Sequence, residues 1–284
     1  MQRLNLSLLL LLFISYCSSY EEMNLEEDKA FRKLKESDTF YQEHFIQNKK
    51  EEAAVHWIST GCKPDKSKVL IFIHGSPGSW SNYLRYLKDP ELLKIYCMLG
   101  VDRPGFGKSS GAIADVNLQA EKILNTMTKL PEIQRGIKSI SILGHSYGGP
   151  VAARMATLYP EKFQFLFLLA AAMDPEAEEI KWYNKIADTW IIGWILPEEW
   201  AYSNSEMLPL KKQLKSLIPE WKTIKAKTIV VQGEEDTLVD PKNPEFVRKY
   251  FSTEVKTYLL PKEGHFLPWK NYDLIHKLLI EFSE

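Results

Sequence analysis

Ser146 stands in the run SILGHSYGGPVAARMA (141–156), between strand-forming residues and helix-forming ones. Gly144 precedes it by two positions, and Gly148 and Gly149 follow at two and three. A serine hydroxyl is a poor nucleophile until a base removes its proton during attack. It must also project beyond a sheet edge, which a tight strand-to-helix turn achieves. Side chains two positions either way would collide with the neighbouring strand and helix, so glycine is demanded at 144 and 148. The helix beginning behind Ser146 aims N–H groups and a positive dipole end at the reacting centre. The spacing GHSYG alone is weak; with its apolar strand before and its helix after, it is a strong signal.

Other residues able to do chemistry are weaker candidates. His44, His56 and His276 stand alone, without ligand spacing, and read as surface or strand-face residues. There is no H-E-x-x-H and no paired cysteine ligand set, so neither a metal nor another cofactor is expected. GFGKSS (105–110) imitates a phosphate-binding loop, whose pattern needs a glycine five residues before Gly107; that position is Asp102. A nucleotide site is excluded on that ground.

The elements that must position Ser146 are legible as a rhythm. TFYQEHFIQ and AAVHWIST flank a polar NKKEE, as two antiparallel strands joined by a turn would. KVLIFIHG, KIYCMLGVD, SISILGHS, FQFLFLLAA and KTIVVQG are short continuous apolar runs, as expected of strands buried on both faces. NYLRYLKD (82–89), NLQAEKILNTMTKL (117–130) and PVAARMATLYP (150–160) separate them as helices. EVKTYLLP (254–261) adds a strand and NYDLIHKLLIEF (271–282) a closing helix. The fold class is therefore α/β, a largely parallel, doubly wound sheet. Residues 175–222 interrupt the rhythm with a mostly helix-like span, too long for an ordinary crossover. It reads as a small helical cap over the C-terminal edge of the sheet, where open α/β sheets bind ligands. Trp182, Trp190, Trp194, Trp200 and Trp221 fall in it, to fill the cap's own core or to wall an apolar pocket.

With these parts in order, the sequence resembles the α/β-hydrolase superfamily over essentially all of residues 40–284. IFIHGSPGSW (71–80) looks like that superfamily's His-Gly-x-Pro-Gly turn, and DRPGFGKSS (102–110) like the loop after its next strand. QGEEDTLVDP (232–241) and EGHFLPW (263–269) look like the turns that carry an acid and a histidine. The resemblance implies Ser146 as nucleophile, His265 as general base and Asp236 as the carboxylate that orients it, in the superfamily's chain order. Asp174, at the end of LFLLAAAMD, is the alternative acid. The backbone N–H groups of Ser76 and Tyr147 are the candidate oxyanion donors. His74 and His145, each before a tight turn, are expected to hold loops. Relatives that open epoxides or remove halides use a carboxylate at the elbow, so Ser146 points away from them.

The expectation is a serine hydrolase of carboxylic esters or related acyl bonds acting on a small-molecule substrate, without a cofactor. Aminopeptidase, lactonase, C–C hydrolase and haloperoxidase-like chemistries remain open on the same frame, as does a membrane-active lipase or a non-catalytic binding protein.

At the scale of the whole chain, 284 residues suit one α/β domain with an insertion: residues 39–174 and 223–284 as core, 175–222 as cap, 20–38 as a charged linker or surface helix. A formal net charge of −1 gives no electrostatic reason to expect nucleic acid. Residues 1–19 read as an export signal, with LNLSLLLLLFI (4–14) its apolar run. Cleavage before Cys17 would leave that cysteine as a lipid-bearing membrane tether; cleavage after Ser19 would not. The expected location is thus exported, periplasmic or lipid-anchored to a bacterial membrane, with secretion as the alternative. Export permits a disulfide between Cys62 and Cys97, but Cys97 lies in an apolar strand-like run, and both are expected as unpaired thiols.

Overall fold

The computed structural model describes residues 27–47, 52–178 and 197–283. Its centre is an eight-stranded sheet of order β1-β2-β4-β3-β5-β6-β7-β8. The strands are β1 (Tyr41–Ile46), β2 (Val55–Thr60), β3 (Lys68–Ile73), β4 (Cys97–Val101), β5 (Ser139–His145), β6 (Phe163–Leu169), β7 (Lys227–Gly233) and β8 (Val255–Leu260). β1 and β2 run antiparallel to each other and β2 antiparallel to β4; every other pairing is parallel. The sheet reverses its order at β3, so β3 and β5 lie side by side at its middle with their C-terminal ends together.

The apolar strand runs are continuous because both faces are covered. In β3, Val69, Ile71 and Ile73 enter one core while Leu70 and Phe72 enter the other. Six principal helices supply the layers: α1 (Glu27–Glu36), α2 (Val116–Met127), α3 (Gly148–Leu158), α4 (Glu198–Trp221), α5 (Asn243–Tyr250) and α6 (Tyr272–Glu281). Helices α2, α3, α4 and α5 contribute to the first core, and α1 and α6 to the second. Helix α2 starts where the Asp115 carboxylate accepts the Leu118 N–H at 2.9 Å, satisfying one of the orphan donors of the first turn.

Within the charged segment, Glu27–Glu36 form helix α1. Ala30 and Leu34, four apart, are buried, and its acidic first turn and basic last turn suit the helix dipole. Helix α4 lies within the inserted span and is 24 residues long. In its C-terminal half Leu210, Leu214, Leu217 and Trp221 recur at helical spacing and pack into the first core. In its N-terminal half the buried residues are polar: Ser203, Asn204 and Glu206. Trp200 is exposed and Trp221 is a core residue. Trp182, Trp190 and Trp194 lie outside the described residues, as do the expected export signal and Cys17.

One expectation is corrected. Cys62 and Cys97 are joined in a disulfide, not left as free thiols. Cys62 follows β2, and Cys97 opens β4, which pairs with β2; the sheet itself therefore brings the two sulfurs together. Sequence separation hid this register. Among the described residues, no helix is long and apolar enough to cross a membrane.

Candidate active site

Ser146 sits at the corner between β5 and α3 with φ of 52°, a left-handed conformation that a non-glycine residue adopts only under constraint. Its N–H donates to the Leu169 carbonyl of β6 at 3.1 Å, and its own carbonyl accepts from the Gly149 and Ala172 N–H groups at 3.0 and 3.3 Å. The chain is pinned on three sides of the strained residue. A Cβ at Gly144 would strike the Gly148 carbonyl, and one at Gly148 would strike the Ile73 and His74 carbonyls at the end of β3. The glycines therefore let strand, turn and neighbouring strand approach at backbone distance.

Gly75 passes beside this corner: a Cβ built on it would lie 3.1 Å from the Ser146 Cβ. That brings the Ser76 N–H near the nucleophile candidate, with the Tyr147 N–H next to it at the N-terminus of α3. Among the described residues neither N–H donates to a backbone acceptor.

Asp236 follows β7 and His265 follows β8, adjacent parallel strands, so sites 29 residues apart meet at one edge. His265 Nδ1 lies 2.9 Å from Asp236 Oδ2. A carboxylate only accepts, so Nδ1 carries a proton, and in the neutral ring the lone pair then lies on Nε2. Asp236 Oδ2 also accepts from Gln232 Nε2 at 3.1 Å, and Oδ1 accepts the Leu238 and Val239 N–H groups, both at 2.9 Å. Burial pushes its carboxyl upward; the hydrogen bond and charge of His265, with the two backbone donors, outweigh that and hold it below the usual range. Asp174 does not compete. Its carboxylate accepts the Glu176 N–H at 2.9 Å, and Asn243 Oδ1 accepts its N–H at 2.7 Å.

Two further histidines hold this geometry. His145 donates from Nε2 to the His265 carbonyl at 3.0 Å, its ring 4.8 Å from that of His265. Burial, then the neighbouring His265 charge, lowers its pKa to about 3, so it remains a neutral donor. His74 donates from Nδ1 to the Gly75 carbonyl at 2.7 Å and accepts the Arg103 N–H on Nε2 at 2.9 Å. Burial, then the Arg103 charge, keeps it far below the ordinary histidine value.

Several buried pairings near the site were not foreseen from the sequence. Arg103 is fully buried and paired with Glu206 of α4, more than a hundred positions away in the chain, and both bond to Gln119 of α2. The lone histidines also prove to be paired: His44 with Glu132 at 2.9 Å, His276 with Asp89 at 3.1 Å, and His56 with Asp102 at 2.7 Å. Glu27, His56 and Asp102 gather ligand-type atoms within 4.8 Å of one another. Trp80 donates to Glu27 and to Asp102, and Lys108 donates its N–H to Asp102 and its ammonium to Glu43, so this network is internally satisfied.

Comparison with known proteins identifies the superfamily. The model of the alpha/beta hydrolase fold matches residues 68–191, and that of the prolyl oligopeptidase family matches residues 134–282. The chain belongs to the α/β-hydrolase superfamily. A 2-hydroxy-6-oxo-6-phenylhexa-2,4-dienoate hydrolase of Burkholderia cepacia is 25% identical over 260 residues, covering 76% of this chain and 88% of its own. An esterase from Exiguobacterium antarcticum superposes with a TM-score of 0.64 at 17% identity, over 85% of this chain and 99% of that one. A bacterial membrane phospholipase A gives 0.65 at 20% identity, over 100% and 99%.

Proposed function

We propose that the protein is a serine hydrolase of carboxylic esters and closely related acyl bonds. The observation that carries this is the Asp236–His265 pair, in the tautomer a base requires, at the same sheet edge as the strained Ser146 corner. Ser146 Oγ attacks the acyl carbon while His265 Nε2 takes its proton, and the oxyanion settles on the Ser76 and Tyr147 N–H groups. His265 then protonates the departing alcohol. A water, deprotonated by the same nitrogen, attacks the acyl-enzyme and releases the acid, and the proton returns to Ser146. Asp236 stays ionised and stabilises the imidazolium at each stage. The steps use only protein groups and water.

In this reading the N-terminal half of α4, whose buried residues are polar, is the described part of the cap beside the acyl group. The Cys62–Cys97 disulfide favours export into an oxidising compartment, with residues 1–19 as the signal and Cys17 as the candidate tether. A second reading, hydrolysis of a carbon–carbon bond next to a ketone, is favoured by the named activity of the Burkholderia cepacia relative and by how much of both chains it covers. Hydrolysis of p-nitrophenyl esters of graded chain length, by wild type and Ser146→Ala, decides between them. Turnover abolished by the alanine supports the ester reading. Turnover of vinylogous 1,5-diketones with no ester turnover would replace it by the second.

A further inference from the structure

The Arg103–Glu206 pair is buried behind the oxyanion loop, and the roles just proposed do not use it. The guanidinium has five N–H donors, and all are committed. Nε donates to the His74 carbonyl at 3.0 Å. Nη1 donates to Gln119 Oε1 at 2.7 Å and to Glu206 Oε1; Nη2 donates to the Gly75 carbonyl at 2.8 Å and to Glu206 Oε2 at 3.1 Å. Glu206 accepts two further bonds, from Gln119 Nε2 at 2.6 Å and from the Ser76 hydroxyl.

The direction of one peptide follows. The Gly75 carbonyl is held by both His74 Nδ1 and Arg103 Nη2. Ser76–Pro77 is the sole cis bond among the described residues, so the Gly75–Ser76 peptide is trans and planar. In a trans peptide the C=O and N–H point in opposite directions. With the carbonyl fixed toward the guanidinium, the Ser76 N–H is fixed away from it, on the peptide that passes Ser146. Glu206 fastens both ends of this device: it neutralises and orients Arg103, and it holds the Ser76 side chain.

We propose that Glu206 is a positioning residue, which together with Arg103 aims the Ser76 N–H at the oxyanion and ties that aim to the seating of α4. The inference rests on the reading of Ser146 as nucleophile. The rival is a strut that supports the fold and leaves the reacting centre alone.

The test is the second-order rate at which a fluorophosphonate labels Ser146. There Ser146 Oγ bonds to phosphorus, fluoride leaves, His265 takes the proton, and the phosphoryl oxygen needs the same donors. It is measured on wild type, Glu206→Gln and Ser76→Ala, the last keeping the backbone N–H and losing only the hydroxyl. Removing an oxyanion donor costs on the order of 10²–10³ in rate, so a misaimed one should cost about 10-fold or more in Glu206→Gln and several-fold in Ser76→Ala. On esters, KM should stay within about 3-fold while kcat falls, because the donor acts in the transition state. The preference for an oxo-ester over its thiono analogue should shrink as well, which loss of folded protein alone would not produce. Labelling rates and ester/thiono-ester ratios within about 2-fold of wild type in the folded variants overturn the inference and leave the nucleophile reading intact. Wild type that is not labelled at Ser146 overturns both. Should Glu206→Gln fail to fold, Ser76→Ala decides by the same readings.

Discussion

Each group at the candidate site is fixed by bonds that leave one function free. Asp236 spends its oxygens on His265, Gln232 and two backbone N–H groups, so the imidazole must face it with Nδ1–H. Asp236→Asn would present an N–H there and favour the opposite tautomer, taking the lone pair away from Ser146. We expect kcat to fall by about 10⁴ with KM little changed, as for the corresponding change in a serine protease triad; activity within about 10-fold of wild type would argue for another base. The serine corner gives a stability counterpart. A methyl group at Gly148 meets two backbone carbonyls that cannot move without displacing β3. Gly148→Ala should cost about 3 kcal/mol or more, at or beyond the upper end for overpacking, read as the shift of the urea midpoint. An unchanged midpoint would mean that the corner is looser than its contacts imply.

Among the elements, the strands and most helices were legible in the sequence because each has a local cause. Strands buried on both faces must be apolar throughout, and KVLIFI or SISIL says so without knowledge of the neighbours. The glycines around Ser146 likewise announce a tight turn. What could not be read are pairings set by register and by packing of distant elements. The disulfide needs β2 beside β4, and the Arg103–Glu206 pair needs α4 laid across the loop after β4. A lone glutamate in SNSEMLPL gives no hint of a buried partner. Reversal of one expectation is testable: the disulfide closes a 35-residue separation, and its loss should cost about 2–4 kcal/mol. Reductant, or Cys62→Ala with Cys97→Ala, should lower Tm accordingly, and an identical Tm in both states would contradict the bond.

For the whole molecule, paired carboxylates set the acid limb of stability. Burial works against ionisation of Glu132, but hydrogen bonds from His44 and Ser59 outweigh it and lower its pKa to about 2 from an ordinary 4.5. The folded pKa lies below the unfolded one, so this stabilisation is full above pH 4.5 and is lost as pH falls toward about 2. Tm should therefore drop across that window, and Glu132→Gln should flatten the drop; superimposable curves for the two proteins would count against the assignment. The same assembly explains how one edge of a sheet gathers a site. β5, β7 and β8 run parallel, so the turns that follow them and carry Ser146, Asp236 and His265 lie along one sheet edge, where Asp236 and His265 pair.

The central claim is that Ser146 carries the acyl group between two half-reactions. It is tested most directly by mixing the full-length protein with a p-nitrophenyl ester, quenching in acid within milliseconds and mapping the mass by peptide. The expected result is a burst of p-nitrophenolate matched by an acyl adduct on the peptide that contains Ser146, absent from Ser146→Ala. Steady turnover with the adduct on another residue, or undiminished turnover by Ser146→Ala, would contradict it.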